Sequence, residues 1–349
     1  DVDLWENTLR EPRVGAPFCL GQGCPCGNDG GAGEGCVNSS GAGALFFGVG
    51  SASVTADDLR LVADPFPLNQ FGLLLMGDGQ GSPPIEIEGG VAVVTGGAGG
   101  IGKGIVRALL SEGATVVIAD VEQAALDEAV AELSELGPVS GRVTDVSDAA
   151  SCEALADHVF SEHGGCRFLF NNAGVTSGGG GKPWEQEPND WKWCVGVNVF
   201  GPAQMVIAFV PRMIEAGEPG HIVNTSSGDG GIAPVPRASV YASSKAALSC
   251  FTEALDHQLI DEGTHIRASV FYPSGGLMHT GLFNALRNRP AERARQRGGT
   301  GRPSMTSEQL KEMMSKGGRD VPVADLDELG RFVVEAVRER RYIIGHHLD

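Results

Sequence analysis

The stretch Thr95-Gly96-Gly97-Ala98-Gly99-Gly100-Ile101-Gly102 lies between the apolar run 91–94 and a predicted helix that begins at residue 103. Glycines permit a tight turn and let the backbone approach a phosphate closely, and free N–H groups at a helix N-terminus attract negative charge. A glycine-rich loop by itself is weak evidence in a chain with 52 glycines. The order of strand, glycine turn and helix strengthens it, and predicts a pyrophosphate site in a dinucleotide-binding fold.

Asp120 supports the same prediction, because it closes the next apolar run, 114–119. An acidic residue about 20 positions beyond the glycine loop is where such a fold binds the adenosine ribose. Its carboxylate accepts hydrogen bonds from the ribose hydroxyls and repels a 2′-phosphate. No basic residue stands between Gly96 and Gly100 to bind that phosphate. The sequence therefore predicts that the cofactor is NAD rather than NADP.

From Ile85 onward the chain alternates predicted strands with predicted helices. The strands are apolar and cover residues 91–94, 115–119, 168–170, 221–225 and 266–271. The helices are rich in Ala, Leu and Glu and cover residues 122–136, 148–163, 202–216 and 240–262. Continuously apolar strands between helices are typical of a parallel sheet covered on both faces. The predicted fold class is α/β, a Rossmann-type doubly wound parallel sheet with three α/β/α layers.

Composition and charge limit the possible functions. The chain has 349 residues, of which 42% are hydrophobic and 20% are charged, as in an ordinary globular protein. Its net charge of −18 repels phosphate backbones, so we expect no nucleic-acid partner. We identify no window of about 18 uncharged apolar residues, so we expect no membrane partner. No metal site is predicted.

Residues 1–85 differ from the rest, because they contain no lysine and are broken by glycine clusters. They resemble glycine- and cysteine-rich modules of exported bacterial proteins, and segments 44–47 and 71–76 are possible strands. Four cysteines in this part are interpreted as disulfides or free thiols, since a Cys-x-Cys pair fits zinc-ligand spacing poorly. These cysteines are Cys19, Cys24, Cys26 and Cys36. We predict two domains, a small N-terminal appendage of unknown role at 1–85 and a dinucleotide-binding domain at 86–349.

Cytoplasmic location is the expectation, with export as the alternative if the N-terminal cysteines form disulfides. The first five residues lack the basic and apolar regions of a signal peptide, although Asp1 in place of Met indicates a fragment or a processed chain. Four later cysteines have no paired spacing and are expected to be reduced core thiols. They are Cys152, Cys166, Cys194 and Cys250.

Tyr241 and Lys245 are four residues apart, so on a helix their side chains lie on one face. Tyrosine titrates near pH 10 and is a poor acid or base at neutrality unless a neighbouring cation favours the phenolate. Upstream, Ser226 and Ser227 end the apolar run 221–225. A hydroxyl at this strand end is able to hold a substrate oxygen beside the tyrosine.

Residues from about 86 to 349 resemble a short-chain dehydrogenase/reductase. The resemblance rests on the glycine loop, Asp145-Val146, Asn171-Asn172-Ala173-Gly174 and the Tyr-x3-Lys pair, in that order. It implies four catalytic residues, which are Asn198, Ser227, Tyr241 and Lys245. It also implies a set of cofactor-binding residues. They are Gly96, Gly100, Ile101, Gly102, Asp120, Asp145, Val146, Asn172, Ala173, Gly174, Tyr241, Lys245 and Pro273.

The resemblance implies hydride transfer between NAD and a secondary alcohol or ketone, with Tyr241 as general acid/base. In this scheme Lys245 lowers the pKa of the tyrosine and binds the nicotinamide ribose, and Asn198 holds a water that links the lysine to solvent. Ser227 orients the substrate oxygen, and Ser226 stays a minor alternative. Ser274 stands where the family commonly has glycine, so the contacts of the following loop stay open.

Two other functions stay open, a non-catalytic NAD(H)-binding redox sensor and a cis-diol dehydrogenase. The intact Tyr, Lys and Ser set counts against the sensor. Residues 274–320 are expected to form a lid, and its apolar side chains suggest a pocket for a bulky alicyclic or aromatic alcohol. These side chains are Leu277, Met278, Leu282 and Phe283. Trp184, Trp191 and Trp193 are expected to pack rather than bind ligand, and the resemblance implies a homodimer or homotetramer.

Overall fold

A computed structural model describes residues 13–14, 45–49, 60–64, 84–177, 181–233, 238–296, 306–316 and 322–345. The chain divides into two compact units, one ending at Gly77 and the other beginning at Asp78. The predicted boundary at residue 85 stays a prediction.

The N-terminal unit contains a three-stranded antiparallel sheet of β1 (Arg13–Val14), β2 (Leu45–Val49) and β3 (Arg60–Asp64). β2 is the central strand, with Val49 opposite Arg13 of β1 and Arg60 of β3. β2 overlaps the possible strand predicted at 44–47. The other possible strand, 71–76, and the four N-terminal cysteines lie outside the described residues.

The second unit is built on a seven-stranded parallel sheet. Its strands are β4 (Val91–Thr95), β5 (Thr115–Asp120), β6 (Val139–Val143), β7 (Phe168–Asn171), β8 (Gly220–Thr225), β9 (Ile266–Tyr272) and β10 (Ile343–Gly345). Their order across the sheet is β6-β5-β4-β7-β8-β9-β10. The order reverses between β4 and β7, where Val94 pairs with both Ile118 and Phe170. In a doubly wound sheet, ligands bind beyond the carboxyl ends of the strands at this reversal.

Helices cover both faces of this sheet. They are α1 (Gly100–Ser111), α2 (Gln123–Leu133), α3 (Ala149–His163), α4 (Pro188–Val195), α5 (Gly201–Ala216), α6 (Ser239–Asp261), α7 (Ser307–Lys316) and α8 (Leu326–Arg338). A π-helical turn, Gly196–Phe200, joins α4 to α5 without a break. Three short 3₁₀ helices cover Pro183–Glu185, Gly281–Asn288 and Ala291–Arg293.

Alternate residues of the strands enter two separate cores. Val94 of β4 is fully buried in a core with Ile105 of α1 and Val333 of α8. Its neighbour Val93 is buried in the other core, which includes Leu155 of α3. This two-sided burial explains why the strands are continuously apolar, since neither face meets water. It confirms the predicted α/β fold with a doubly wound parallel sheet.

The predicted helix at 202–216 is longer than expected. Gly196 and Gly201 suggest breaks in the sequence, but the helical backbone continues through them from Pro188 to Ala216. Asn198 therefore lies inside a continuous helix, upstream of the helix start predicted at residue 202. Strand β6 was not predicted, because its sequence, Val139-Ser140-Gly141-Arg142-Val143, carries a glycine and an arginine at a partly exposed sheet edge.

The continuous helix of 29 residues, Pro188–Ala216, is the one candidate for a membrane span among the described residues. Its mean hydropathy over the relevant window is 1.6, but half of that window is buried inside the protein. Met205 and Phe209 of this helix belong to one of the two cores. A buried core helix of this composition is weak evidence for a membrane span.

The four later cysteines are free thiols. Cys152, Cys166 and Cys194 are buried as predicted, whereas Cys250 on α6 is exposed. Burial raises the pKa of Cys152 and Cys166 to about 12 and that of Cys194 to about 11. These three thiols therefore stay protonated and unreactive at neutral pH.

Candidate active site

A cavity of about 520 Å³ opens at the carboxyl ends of the central strands. Its floor includes Gly96, which follows β4, and Asp120, which ends β5. Asn172 and Thr225, at the ends of β7 and β8, line the same cavity. The cavity thus lies at the reversal of strand order, where the topology places a ligand site.

The glycine loop is packed too closely to accept side chains at its centre. A Cβ atom on Gly102 would lie 2.2 Å from the Gly96 carbonyl oxygen and 2.6 Å from Nδ2 of Asn172. Asn172 Nδ2 donates to the carbonyls of Thr95, at 3.1 Å, and Gly96, at 3.3 Å. The Thr95 hydroxyl oxygen accepts the backbone N–H of Asn172 at 3.0 Å and that of Ala173 at 3.1 Å. These bonds fix the loop against the end of β7.

The Asp120 carboxylate is held by backbone groups. It accepts the N–H of Ala98 at 3.2 Å and the N–H of Glu122 at 3.2 Å. Burial raises the pKa of Asp120 above its ordinary value, while these two N–H groups oppose the rise. The side chain is thereby fixed at the cavity wall beside the glycine loop.

Tyr241 and Ser227 approach each other from α6 and from the segment after β8. Their hydroxyls share a hydrogen bond, which opposes the effect of burial on the tyrosine. Burial raises the pKa of Tyr241 to about 12, so the phenol holds its proton at neutral pH. The Ser227 oxygen also accepts the backbone N–H of Asp229 at 3.1 Å. This arrangement presents two hydroxyl groups to the cavity.

Lys245 lies one helical turn beyond Tyr241 and is only 3% exposed. Its Nζ donates to the Thr225 carbonyl at 2.7 Å and lies 5.8 Å from the centroid of the Tyr241 ring. Burial lowers the pKa of Lys245 to about 8. The lysine is therefore mostly protonated at pH 7 and loses its charge in the mildly alkaline range.

The structure separates the two candidate serines. Ser226 is 2% exposed, and its hydroxyl donates to the Lys245 carbonyl at 2.9 Å. It also shares a hydrogen bond of 2.8 Å with Ser249. Ser226 thus holds helix α6 in place, whereas Ser227 is hydrogen-bonded to Tyr241. Both serines line the cavity, and the choice of Ser227 as the acting serine stays a prediction.

Asn198 lies behind the cavity in the π-helical turn and is fully buried. Its Oδ1 accepts the Val175 N–H at 2.8 Å, and its Nδ2 donates to the Val175 carbonyl at 2.9 Å and to Ser244 Oγ at 2.9 Å. Ser244 in turn donates to the Tyr241 carbonyl at 2.7 Å. Both polar atoms of the Asn198 side chain are thus engaged by protein groups. The side chain therefore joins α6 to the segment at Val175, and the water-holding role of Asn198 stays a prediction.

Most of the predicted site residues line the cavity together. They are Gly96, Gly100, Ile101, Asp120, Asp145, Val146, Asn172, Ala173, Gly174, Ser227, Tyr241, Lys245 and Pro273. Gly102 and Asn198 are not among the residues that line it. The predicted lid residues Leu277, Met278, Leu282 and Phe283 line it as well.

Several residues that line or support the cavity were not predicted from the sequence. Trp193, expected to be a packing residue, is 4% exposed and also lines the cavity. Trp184, at 77% exposed, and Trp191, at 38%, do not pack in a core. Thr95 and Thr225 act through a hydroxyl and a backbone carbonyl, which no side-chain motif reveals. Ser244 lies inside the Tyr-x3-Lys motif. Its position three residues after Tyr241 could have indicated that its side chain contacts the same turn of the helix.

The residues present fit a nicotinamide dinucleotide. The closely packed glycine loop leaves its backbone open to a pyrophosphate, and α1 begins at Gly100 directly behind it. Asp120 offers a carboxylate to a ribose, and Lys245 offers an ammonium group within the same cavity. Within the described ranges, no group of three or more His, Cys, Asp or Glu side chains forms a metal site.

Comparison with known proteins defines the class. The family model described as short chain dehydrogenase matches residues 90–291, so the chain belongs to that family of oxidoreductases. The chain is 38% identical over 210 residues to C alpha-dehydrogenase of Sphingobium sp.. That match covers 59% of this chain and 66% of the relative, slightly under two thirds of its length.

Two crystal structures of relatives contain cofactors. A short chain dehydrogenase/reductase from Burkholderia phymatum in complex with NAD is 36% identical, with a TM-score of 0.67. The match covers 75% of this chain and 90% of that one. A metagenomic short-chain oxidoreductase in complex with NADP is 34% identical, with a TM-score of 0.50, over 55% of this chain and 85% of that one. Both cofactors thus occur among proteins similar to this one.

Proposed function

We propose that this protein is an NAD-dependent oxidoreductase that transfers a hydride between a secondary alcohol or ketone and the nicotinamide. The proposal rests above all on one observation, the convergence of Tyr241, Ser227 and Lys245 in the cavity that the glycine loop also lines. NAD, when bound, supplies the group that accepts or donates the hydride. The protein supplies binding, orientation and proton transfer.

Ser227 and Tyr241 act on the substrate oxygen in this proposal. A carbonyl oxygen placed between their hydroxyls accepts two hydrogen bonds, which strengthen as negative charge develops on it. Since the phenol is protonated at neutral pH, Tyr241 is ready to donate a proton in the direction of ketone reduction. In the direction of alcohol oxidation, the Tyr241 phenol has to lose its own proton before its oxygen can accept the proton of the alcohol.

Burial raises the pKa of Tyr241, whereas the resemblance implied that Lys245 lowers it. We propose that the positive charge of Lys245 acts against this rise. Its fixed bond to the Thr225 carbonyl holds the ammonium group under the tyrosine ring. Asn198 and Ser244 keep helix α6 in register with the segment at Val175. Positioning of this kind is needed because proton transfer depends steeply on the distance between donor and acceptor.

The cofactor is proposed to be NAD rather than NADP because of Asp120. Its carboxylate lies at the cavity wall, where it is able to accept hydrogen bonds from a ribose and to repel a 2′-phosphate. The Ala98 and Glu122 N–H groups stabilise its charged form against the effect of burial.

The substrate is proposed to be a bulky apolar alcohol or ketone. Besides the charged side chains of Asp120, Asp229 and Lys245, much of the cavity lining is apolar. The apolar side chains of the lining include Val175, Trp193, Val197, Leu277, Met278, Leu282, Phe283 and Ala285. An apolar wall of this kind favours an uncharged ring system over a phosphorylated or polyhydroxylated substrate.

Turnover with a panel of cyclic and aromatic secondary alcohols tests the proposal, with NAD and NADP compared at equal concentration. The wild type is expected to form NADH and to prefer NAD. Asp120→Asn removes the charge that repels a 2′-phosphate, so the ratio of kcat/KM for NAD over NADP should fall by roughly tenfold or more. Asp127→Asn, at a carboxylate on the outer part of α2, is the control and should leave the ratio unchanged. An unchanged ratio in Asp120→Asn would contradict the proposed role of Asp120.

A further inference from the structure

The lid segment, defined here as residues 280–296, is attached to the rest of the protein at three places. The first is the glycine loop. A Cβ atom on Gly100 would lie 3.0 Å from Cγ2 of Thr280, so this threonine rests directly on the loop. The first 3₁₀ helix, Gly281–Asn288, begins at that point, with the Thr280 hydroxyl oxygen accepting the Leu282 N–H.

The second attachment is the carboxylate of Glu122. Arg287 donates to it through Nε, at 3.2 Å, and through Nη2, at 2.5 Å. Asn288 Nδ2 donates to the same carboxylate at 2.8 Å. Nη1 of Arg287 donates to the carbonyls of Gly281 and Asn284, so the same guanidinium also fixes the turn of the helix. Glu122, Arg287 and Asn288 are called the Glu122 latch below.

Glu122 joins the latch to the Asp120 site. Its backbone N–H donates to the Asp120 carboxylate, while its side chain binds the lid segment. Asp120, Glu122, Arg287 and Asn288 all line the same cavity. The lid segment therefore borders this cavity from Thr280, on the glycine loop, to the Glu122 latch.

The third attachment is buried and lies at the far end of the lid segment. Arg289 donates to Asp190 at 2.9 Å, and these side chains are 6% and 0% exposed. Arg295 lies 3.1 Å from the other oxygen of Asp190. In contrast, the side chains of Glu122 and Arg287 are 32% and 39% exposed. Separating a buried pair leaves charges without water, whereas an exposed pair separates at little cost. The Glu122 latch thus opens more easily than the buried Asp190 attachment.

We propose that Glu122 is a positioning residue that holds the lid segment closed across the cofactor groove, so that release of the dinucleotide requires the Glu122 latch to open. This inference rests on the proposed function, because it assigns the groove to NAD(H). It goes beyond that function, because it assigns cofactor release to residues that take no part in the chemistry. Glu122 lies two positions after Asp120, the proposed ribose-binding residue. It would thereby couple retention of the cofactor to closure of the lid segment.

Release of NADH from Glu122→Gln tests the inference. The amide keeps the shape of the side chain and removes the charge that binds Arg287. We expect NADH to dissociate about two- to five-fold faster, as measured by stopped-flow fluorescence, because exposed ion pairs contribute on this scale. Added salt should accelerate release from the wild type and affect the variant less. Glu132→Gln is the matched control, since Glu132 is an exposed carboxylate on α2 that pairs with Lys103 and Arg107 away from the groove.

A second readout needs no cofactor. Trypsin should cleave the lid segment of the unliganded Glu122→Gln protein faster than that of the wild type or Glu132→Gln. An unchanged rate of NADH release in Glu122→Gln, or an equal change in Glu132→Gln, would overturn the inference. A wild-type protein that binds no NADH would instead overturn the proposed function and this inference with it. The two failures are therefore distinguishable.

Discussion

At Lys245 the protein buries a positive charge at a cost in stability. Burial lowers the pKa of the ammonium group from about 10.5 to about 8, so the charged form is disfavoured in the folded state. Between these two values the unfolded chain binds more protons than the folded one, and stability contributed by this group rises with pH. Below pH 8 the folded protein carries the full cost of the buried charge. This cost is consistent with the proposed role of Lys245 in activity.

Replacing the buried charge should therefore stabilise the protein and abolish its activity. Lys245→Met is expected to raise the free energy of unfolding at pH 7 by about 1–3 kcal/mol, in line with the size of the pKa shift. Because Lys245 of the wild type loses its charge between pH 8 and pH 10, the difference in free energy of unfolding between the variant and the wild type should become smaller over that range. Urea unfolding at pH 7 and pH 9.5 measures both effects. A variant less stable than the wild type at pH 7 would show that the bond to the Thr225 carbonyl outweighs the cost of burial.

Helices α1 and α8 cross so closely that only glycine fits at the contact. A Cβ atom on Gly104 would lie 2.1 Å from the Leu326 carbonyl oxygen, and one on Gly330 would lie 2.2 Å from the Gly104 carbonyl oxygen. Both neighbours are backbone atoms, which cannot move aside as a flexible side chain does. The glycine loop lies at the N-terminus of α1, so the packing of α1 against α8 also supports the cavity that the loop lines.

Gly104→Ala is expected to lower the free energy of unfolding by about 1–3 kcal/mol, because the helices have to separate to admit the methyl group. Chemical denaturation of the variant measures the loss. Gly165→Ala is the control, since a Cβ atom at that position meets no atom within 4 Å. Equal stability of Gly104→Ala and the wild type would contradict the described crossing of α1 and α8.

Elements with a continuous apolar pattern could be predicted from the sequence, while those fixed by distant contacts could not. Strands β4, β5, β7, β8 and β9 were predicted because both of their faces are buried. The edge strand β6 was missed because exposure removes the apolar signal. The presence of Tyr241 and Lys245 in one cavity was predictable, because a single motif carries both residues. The pair of Glu122 and Arg287 was not predictable, because 165 positions separate the two residues.

The continuous helix Pro188–Ala216 carries a row of exposed apolar side chains on its surface. Phe200, Ile207 and Ile214 are 58%, 71% and 45% exposed. Their spacing of seven residues places them on one face of the helix. Rows of exposed apolar side chains mark interaction surfaces. This observation agrees with the expected homodimer or homotetramer, which stays a prediction, as does the cytoplasmic location.

A charge in the middle of that row should weaken self-association. Ile207→Glu is expected to elute as a smaller species than the wild type in size-exclusion chromatography with light scattering. Leu136→Glu introduces the same charge at another exposed apolar residue and should leave the mass unchanged. If Ile207→Glu and the wild type have the same mass, the row is not an interface between copies of this chain.

The assignment of Tyr241 as the general acid/base is tested by NADH formation from an apolar secondary alcohol. The wild type and Tyr241→Phe are compared, and the absorbance of NADH is measured between pH 6 and pH 9. Since the phenol has to lose its proton before it acts as a base, kcat/KM for oxidation should rise with pH in the wild type. Tyr241→Phe should lose about 10²-fold or more of the activity, whereas Tyr342→Phe, outside the cavity lining, should keep it. NADH formation that survives in Tyr241→Phe would contradict the assignment of Tyr241 as the general acid/base. Tight NADH binding without turnover of any alcohol by the wild type would instead favour a redox-sensing module.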